Sequence, residues 1–242
     1  MPSPSVRVAK ANRLLASLPT ASLERVLPDL HVKPLHTRQV LQTPGERLAE
    51  VVFPVEGVAS MVSMGDSGSE VEVATIGCEG MVGLPVFLGG EKAAVEIFIQ
   101  VPGEGLHMQA ATFKNHVERD PTLVRTLLLY TQAMMTQVAQ CSACNIHHSI
   151  EARCARWLLQ THDRVKGDTF PLTQEFLSLM LGVRRATVTE VAGELQNRKL
   201  IRYVRGVIEV RDRKGLEGAA CDCYQLINGE YDRLLKRPRK TS

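Results

Sequence analysis

The chain has 242 residues, 44% of them hydrophobic and 23% charged, the proportions of an ordinary globular protein. That composition excludes a disordered chain, a collagen and a disulfide scaffold, and no stretch approaches the roughly 18 apolar residues of a membrane span. The net charge of +3 hides an asymmetry: residues 1–120 hold 10 Lys/Arg against 14 Asp/Glu, whereas residues 145–215 hold 13 against 8. An acidic first half followed by a basic block suggests two units with different partners, the second a polyanion.

Helices are expected at 11–18 and 21–27, punctuated by Pro19 and Pro28. From about His31 to Met108, short valine- and isoleucine-rich segments alternate with Gly/Pro/Asp turn signals. The expected strands are 48–54, 57–64, 69–76, 96–101 and 106–108, with turns at 44–45, 65–68, 77–80 and 102–105. That spacing predicts a β sandwich or barrel. A short helix is expected at 114–118. Asp120 and Pro121 then read as the cap and first position of a long helix, with a break near His148–Ser149. Leu127, Thr131, Met134, Val138, Cys141 and Asn145 fall at 4-3-4-3-4 spacing, the rhythm of a coiled-coil seam, so a symmetric dimer interface is expected there, the alternative being an ordinary helix packed on the β-domain.

Beyond Gly167, Thr173 is placed to cap a helix over 174–180, Gly182 to turn the chain, and a second helix to run over 184–198. Segments 200–203 and 207–210 around Arg205-Gly206 read as a hairpin. Helix, turn, helix and hairpin make a winged helix-turn-helix. The N-terminal residues of a helix in the major groove read bases. Arg184 and Arg185 are suited to guanine, Glu190 to cytosine, and Thr173, Gln174, Thr187 and Thr189 to phosphates or base edges. Arg202 and Arg205 in the hairpin are suited to the flanking backbone.

Three stretches, LTQEFLSLMLGVRRATVTEVAGEL, IGCEGMVGLPVFLGG with IQVPGEGLHM, and RCARWLLQTHDRV, make the sequence resemble the Crp/Fnr family of bacterial transcription regulators over nearly its whole length. The resemblance implies an α+β fold. An N-terminal β-roll sensor, double-stranded and jelly-roll-like (1–120), is followed by a dimerisation helix (121–147). A winged helix-turn-helix (148–216) and a helical tail (217–242) complete it. It also implies a non-enzymatic homodimer in the cytoplasm, away from membranes. Its partners would be double-stranded DNA bearing a pseudo-palindromic operator, a second copy of the chain, and RNA polymerase. Arg185 matches the family's first base-reading arginine, but Ala186 and Glu190 replace the next glutamate and arginine, so the family's best-known half-site is not expected.

The effector is argued the same way. Cyclic-nucleotide binders of the family hold the ribose with a Gly-Glu-Leu glutamate and the phosphate with an Arg-Ser pair. Here Gly83, Leu84 and Pro85 stand at the first segment and Ala93 and Ala94 at the second. These effector-pocket positions lack the carboxylate and guanidinium, so cyclic AMP is not expected. A family iron–sulfur site is absent because no cysteine precedes Cys78. A haem site of the kind that uses an N-terminal proline, here Pro2, lacks its companion histidine, since Gly80 stands there.

Cys141, Cys144 and His148 share a helix face and are metal candidates, but one straight helix cannot close a tetrahedron. Buried thiols and no cofactor are therefore expected, with Cys78, Cys221 and Cys223 read as small hydrophobes. The alternative is a redox- or metal-responsive regulator using interface cysteines. A cupin-like metal enzyme is more remote, because His31, His36 and His107 lack paired spacing. Trp157 reads as core, and His107 and His116 as structural or exposed.

Overall fold

The computed structural model describes residues 4–64, 70–90 and 92–235; Pro2 and the turn expected at 65–68 lie outside them. Three short helices open the chain: α1 (Val6–Ala9), α2 (Arg13–Ala16) and α3 (Thr20–Val26). The helix expected from residue 11 begins later because Asn12 is extended. Its side-chain oxygen caps α2 at Leu15 N, and its amide donates to Pro54 O and Gly80 O, both at 2.8 Å. A buried amide with all three of these bonds pins the N-terminal segment to the β-domain.

The strands β1 (His31–Leu35), β2 (Val40–Gln42), β3 (Glu50–Met64) and β4 (Glu70–Ile76) are followed by helix α4 (Leu84–Phe87) and strand β5 (Glu96–Gln109). They form an antiparallel sheet in the order β1-β5-β3-β4, with β2 also on β5. Two pairs of expected strands are each one long strand. Gly57 does not end β3: it sits at φ 96° and marks a register shift against β5. A Cβ there would lie 2.7 Å from Val101 O, and one at Gly103 would lie 2.2 Å from Glu56 O. Both glycines serve close backbone approach at a bulge, which lets the strand bend without breaking.

Helix α5 (Ala110–Arg119) leads into α6 (Pro121–His147), where Asp120 Oδ1 accepts from Thr122 N at 3.0 Å and Leu123 N at 3.3 Å. Leu123, Leu127, Tyr130, Met134 and Cys141 on α6 bury against Val51, Phe53, Ile76 and Ile99 of the sheet. His148 is extended, and Ser149 Oγ accepts from Ala152 N to start α7 (Ile150–His162). Strand β6 (Thr169–Pro171), helices α8 (Gln174–Leu181) and α9 (Arg185–Asn197), and strands β7 (Ile201–Val204) and β8 (Val207–Val210) follow. The small sheet has the order β6-β8-β7. Helices α10 (Arg213–Ala219) and α11 (Cys223–Leu234) close the described chain. The fold is α+β, with a β-sheet domain, a long helix and a C-terminal helix-turn-helix.

A second core gathers Trp157, Leu177, Val188, Leu195 and Ile208, and also takes in Val58, Val62, Phe98 and Val101 of the β-domain. Polar contacts cross the same boundary. Trp157 Nε1 donates to Glu72 Oε1 at 2.9 Å, and Ser60 donates to Glu72 Oε2 at 2.8 Å. Burial pushes the Glu72 carboxyl up to about 7. Arg164 grips Glu79 through Nε at 3.0 Å and Nη2 at 2.7 Å, with both side chains buried. His107 and His116 each meet a carboxylate distant in sequence: Glu50 at 2.9 Å and Asp29 at 2.7 Å.

Candidate nucleic-acid interface and metal centre

The turn between α8 and α9 works because Gly182 takes φ 63°, the left-handed C-cap conformation. Thr173 Oγ1 accepts from Phe176 N at 3.2 Å, which caps α8. Its hydroxyl proton remains available to an acceptor such as phosphate. Arg184 stands at the N-cap of α9, so Arg184 and Arg185 sit at the helix start. Arg184, Arg185, Thr189, Glu190 and Gln174 are exposed, and Thr187 is half-buried. Arg205 (φ 50°) and Gly206 (φ 77°) form the tight hairpin turn.

A cleft of about 500 Å³ brings together Thr173, Gln174, Glu175, Arg185, Tyr203 and Arg205. Arg202 lies on the hairpin, 4.0 Å from Glu209. Within the cleft Arg185 Nη2 is 3.3 Å from Glu175 Oε2, while Glu175 Oε1 is 3.7 Å from Arg38 Nη2 of the β-domain. Both pairs are exposed and weakly held, so Arg185 is free to exchange its partner for a stronger acceptor.

On α6 the residues read as a dimer seam point two ways. Leu127, Met134 and Cys141 face the protomer's own core, while Thr131, Val138 and Asn145 are half-buried. One residue further on, Leu128, Gln132, Met135, Ala139, Ser142 and Ile146 repeat the 4-3-4-3-4 spacing and are all exposed. Met135 is 69% and Ile146 78% accessible. The sequence shows both stripes, and only burial separates them.

The effector-pocket positions are placed as follows. Gly83 (φ 97°) precedes α4, and Leu84 is half-buried at its start. Ala93 is buried and backbone-paired, donating to Glu46 O at 3.0 Å and accepting from Gly45 N at 2.9 Å. Ala94 is exposed.

The expectation of no cofactor is overturned at the end of α6. Cys144, His148, Cys221 and Cys223 bring their ligand atoms within 4.8 Å of one another, a group able to hold a metal ion. Cys144 Sγ lies 3.4 Å from Cys221 Sγ, and Cys223 Sγ lies 3.4 Å from His148 Nδ1. Of the three candidates named from the sequence, Cys144 and His148 belong to this group. Cys141 does not: it packs in the core with Arg156 Nη1 3.6 Å from its sulfur. The missing ligands come from the tail, 77 residues from Cys144. Two half-motifs, Cys144-x3-His148 and Cys221-x-Cys223, carry the signal, and only the packing of α11 on α6 joins them. The contact with Cys221, aided by the charge of Arg156, lowers the Cys144 thiol below its ordinary value. The same contact and burial raise Cys221, and burial raises Cys223.

Residues 152–219 match the model of the Crp-like helix-turn-helix domain. No curated protein sequence matches the chain. Among solved structures the chain resembles FixK2 from Bradyrhizobium japonicum, at 15% identity and a TM-score of 0.66 over 79% of this chain and 98% of that one. A transcriptional regulator of the CRP family from Thermus thermophilus is similar at 16% identity and a TM-score of 0.65, over 78% and 96% of the two chains. The c-di-GMP-responsive global regulator CLP of Xanthomonas campestris is similar at 17% and 0.60, over 79% and 99%. Among the described residues no helix is long and apolar enough to cross a membrane. The chain thus carries a Crp-like helix-turn-helix domain at 152–219, on a fold similar to those of these solved regulators, with a β-sheet domain before it and a Cys/His cluster where its long helix ends.

Proposed function

We propose that the protein is a sequence-specific DNA-binding transcription regulator that responds to metal or redox state through its Cys/His cluster. The observation that carries the DNA reading is the start of α9, where Arg184, Arg185, Thr189 and Glu190 stand exposed on a Crp-like helix-turn-helix. An arginine fork there matches guanine O6 and N7. Thr173, Gln174, Thr187, Arg202 and Arg205 serve the phosphates and flanking bases. The response is assigned to the cluster rather than to a cyclic-AMP pocket. Leu84 offers no carboxylate for a ribose, and Ala93 and Ala94 offer no guanidinium for a cyclic phosphate.

In this reading residues 1–120 are the β-roll unit, 121–147 the dimer helix, 148–216 the DNA-binding unit and 217–242 the tail, and the sensing cluster joins the last three. Two copies pair along α6 through the exposed Leu128–Met135–Ile146 stripe, with Thr131, Val138 and Asn145 at its edge. The dimer works on DNA in the cytoplasm beside RNA polymerase.

Selection of duplexes from a random pool should return a pseudo-palindrome with half-sites about one DNA turn apart. Arg185→Ala should then cost about 1–3 kcal/mol and relax preference at one guanine. Recovery of no sequence over bulk DNA overturns the reading. Uniform weakening on every sequence would assign Arg185 to a phosphate instead.

A further inference from the structure

We infer that Cys144, His148, Cys221 and Cys223 form a tetrahedral site for one zinc-type divalent cation, which clasps the tail to the α6–α7 junction. The inference sharpens the metal-or-redox reading of the cluster. It depends on the DNA-binding reading only for its regulatory consequence.

The donor set is three sulfurs and one imidazole nitrogen, a combination typical of structural zinc. A tetrahedral ion with metal–sulfur bonds of about 2.3 Å holds its sulfurs about 3.8 Å apart. The 3.4 Å contact of the Cys144 and Cys221 sulfurs and the 4.8 Å limit on every pair bracket that spacing. The ligands therefore need to move little to close on one ion. An iron–sulfur cluster divides its thiolates among several irons and needs them spread more widely. A disulfide between Cys144 and Cys221 would require an oxidant and would leave Cys223 and His148 converging for no purpose.

The surroundings complete the case. His148 turns Nδ1 toward Cys223, while Nε2 lies 3.8 Å from Asp222 Oδ1. A carboxylate on that side, once closed to hydrogen-bonding distance, fixes the tautomer and orientation of a ligating imidazole. Gln140 Nε2 donates to Cys223 Sγ at 3.1 Å, a bond suited to a thiolate. Three thiolates around a dication carry one net negative charge, and the buried Arg156, whose charge acts on Cys144, supplies the countercharge. Binding displaces the remaining thiol protons to solvent, and His148 keeps its Nε2 proton toward Asp222.

The position gives the ion a mechanical role. Cys144 lies in the last turn of α6, and His148 lies in the extended link before α7, the first helix of the Crp-like domain. Cys221 and Cys223 lie at the start of α11, whose Tyr231 donates to Gln137 of α6 at 2.9 Å. One ion therefore ties three segments together where the long helix hands over to the DNA-binding unit.

The test uses the full-length protein, reduced and stripped of metal without oxygen, then titrated with Co2+ and back-titrated with Zn2+. The expected result is one Co2+ per chain, with tetrahedral d–d bands and thiolate-to-cobalt charge transfer, displaced by one Zn2+. Cys221→Ser should abolish that spectrum, and Asp222→Asn should weaken Zn2+ binding about tenfold or more. Cys78→Ser, outside the cluster, should change neither. An octahedral spectrum, no stoichiometric binding, an unchanged Cys221→Ser titration, or a Cys144–Cys221 disulfide in peptide maps of the anaerobic protein each overturns the site.

Mobility shifts with the selected operator, run on zinc-loaded and stripped protein, separate the two readings. A change in operator affinity supports the clasp's regulatory role, and equal affinity overturns that role while leaving the site intact. Failure to select any operator overturns the DNA reading alone.

Discussion

Glu72 shows how one side chain links the β-domain to the helix-turn-helix domain. It lies on β4, yet its carboxylate receives the indole of Trp157 from α7. Burial raises its pKa from 4.5 to about 7, so the folded chain holds the proton more tightly than the unfolded chain. The contribution of Glu72 to stability is therefore most favourable below pH 4.5, falls as pH rises from about 4.5 to about 7, and then levels off. Glu72→Gln keeps an acceptor for Trp157 and removes the buried charge. Denaturant titrations should show it to be more stable than the parent at pH 8, by about 3 kcal/mol at most, with a flatter pH profile. An unchanged profile would assign the pH dependence elsewhere. None of this was readable from position 72, which sits in an alternating strand pattern like any exposed glutamate. Its partner is 85 residues away.

At the scale of elements, local signals located most helices and turns but misjudged where strands end. Glycine and proline between apolar runs usually mark a turn. At Gly57 and Gly103 they mark close backbone contact inside a continuous ladder. Gly57→Ala should therefore destabilise the fold by about 1–3 kcal/mol, because a Cβ meets Val101 O in a left-handed conformation. Thermal unfolding measures this, and a neutral result would mean that β3 relaxes there. The long helix teaches the complementary lesson. Its period is plain in the sequence, but two stripes one residue apart share it, and the sheet takes the one containing Leu127. Met135→Lys on the exposed stripe should shift sedimentation from dimer to monomer while leaving the fold intact. A variant that stays dimeric would move the interface off that stripe.

At the scale of the whole molecule, the Crp-like domain does not hang from a free linker. Its core continues into Val58, Val62, Phe98 and Val101 of the β-domain, and Arg164 reaches across to Glu79. A buried ion pair adds little net stability when intact, but losing one partner strands the other charge. Arg164→Ala should cost about 3–5 kcal/mol in chemical denaturation. Replacing Arg164 and Glu79 together with apolar residues should cost much less. Equal losses in the two variants would show that the packing of the Arg164 stem, and not the stranded charge, dominates.

The sequence by itself determined the order of parts: acidic strands, a long helix, and a basic helix-turn-helix with its hairpin. Each of these is written in short-range chemistry, in period-2 and period-3.6 patterns, caps and tight turns. It also placed Arg184 and Arg185 at the start of the second helix of the motif, because Thr173 and Gly182 set the phase of α8 and the turn after it. Tertiary structure alone decided which face of α6 is buried, that Glu72 and Arg164 bridge the units, and that two cysteines of the tail return to Cys144 and His148. Those outcomes join residues 62 to 89 positions apart, where chain connectivity carries no local signal and the packing of distant surfaces makes the choice.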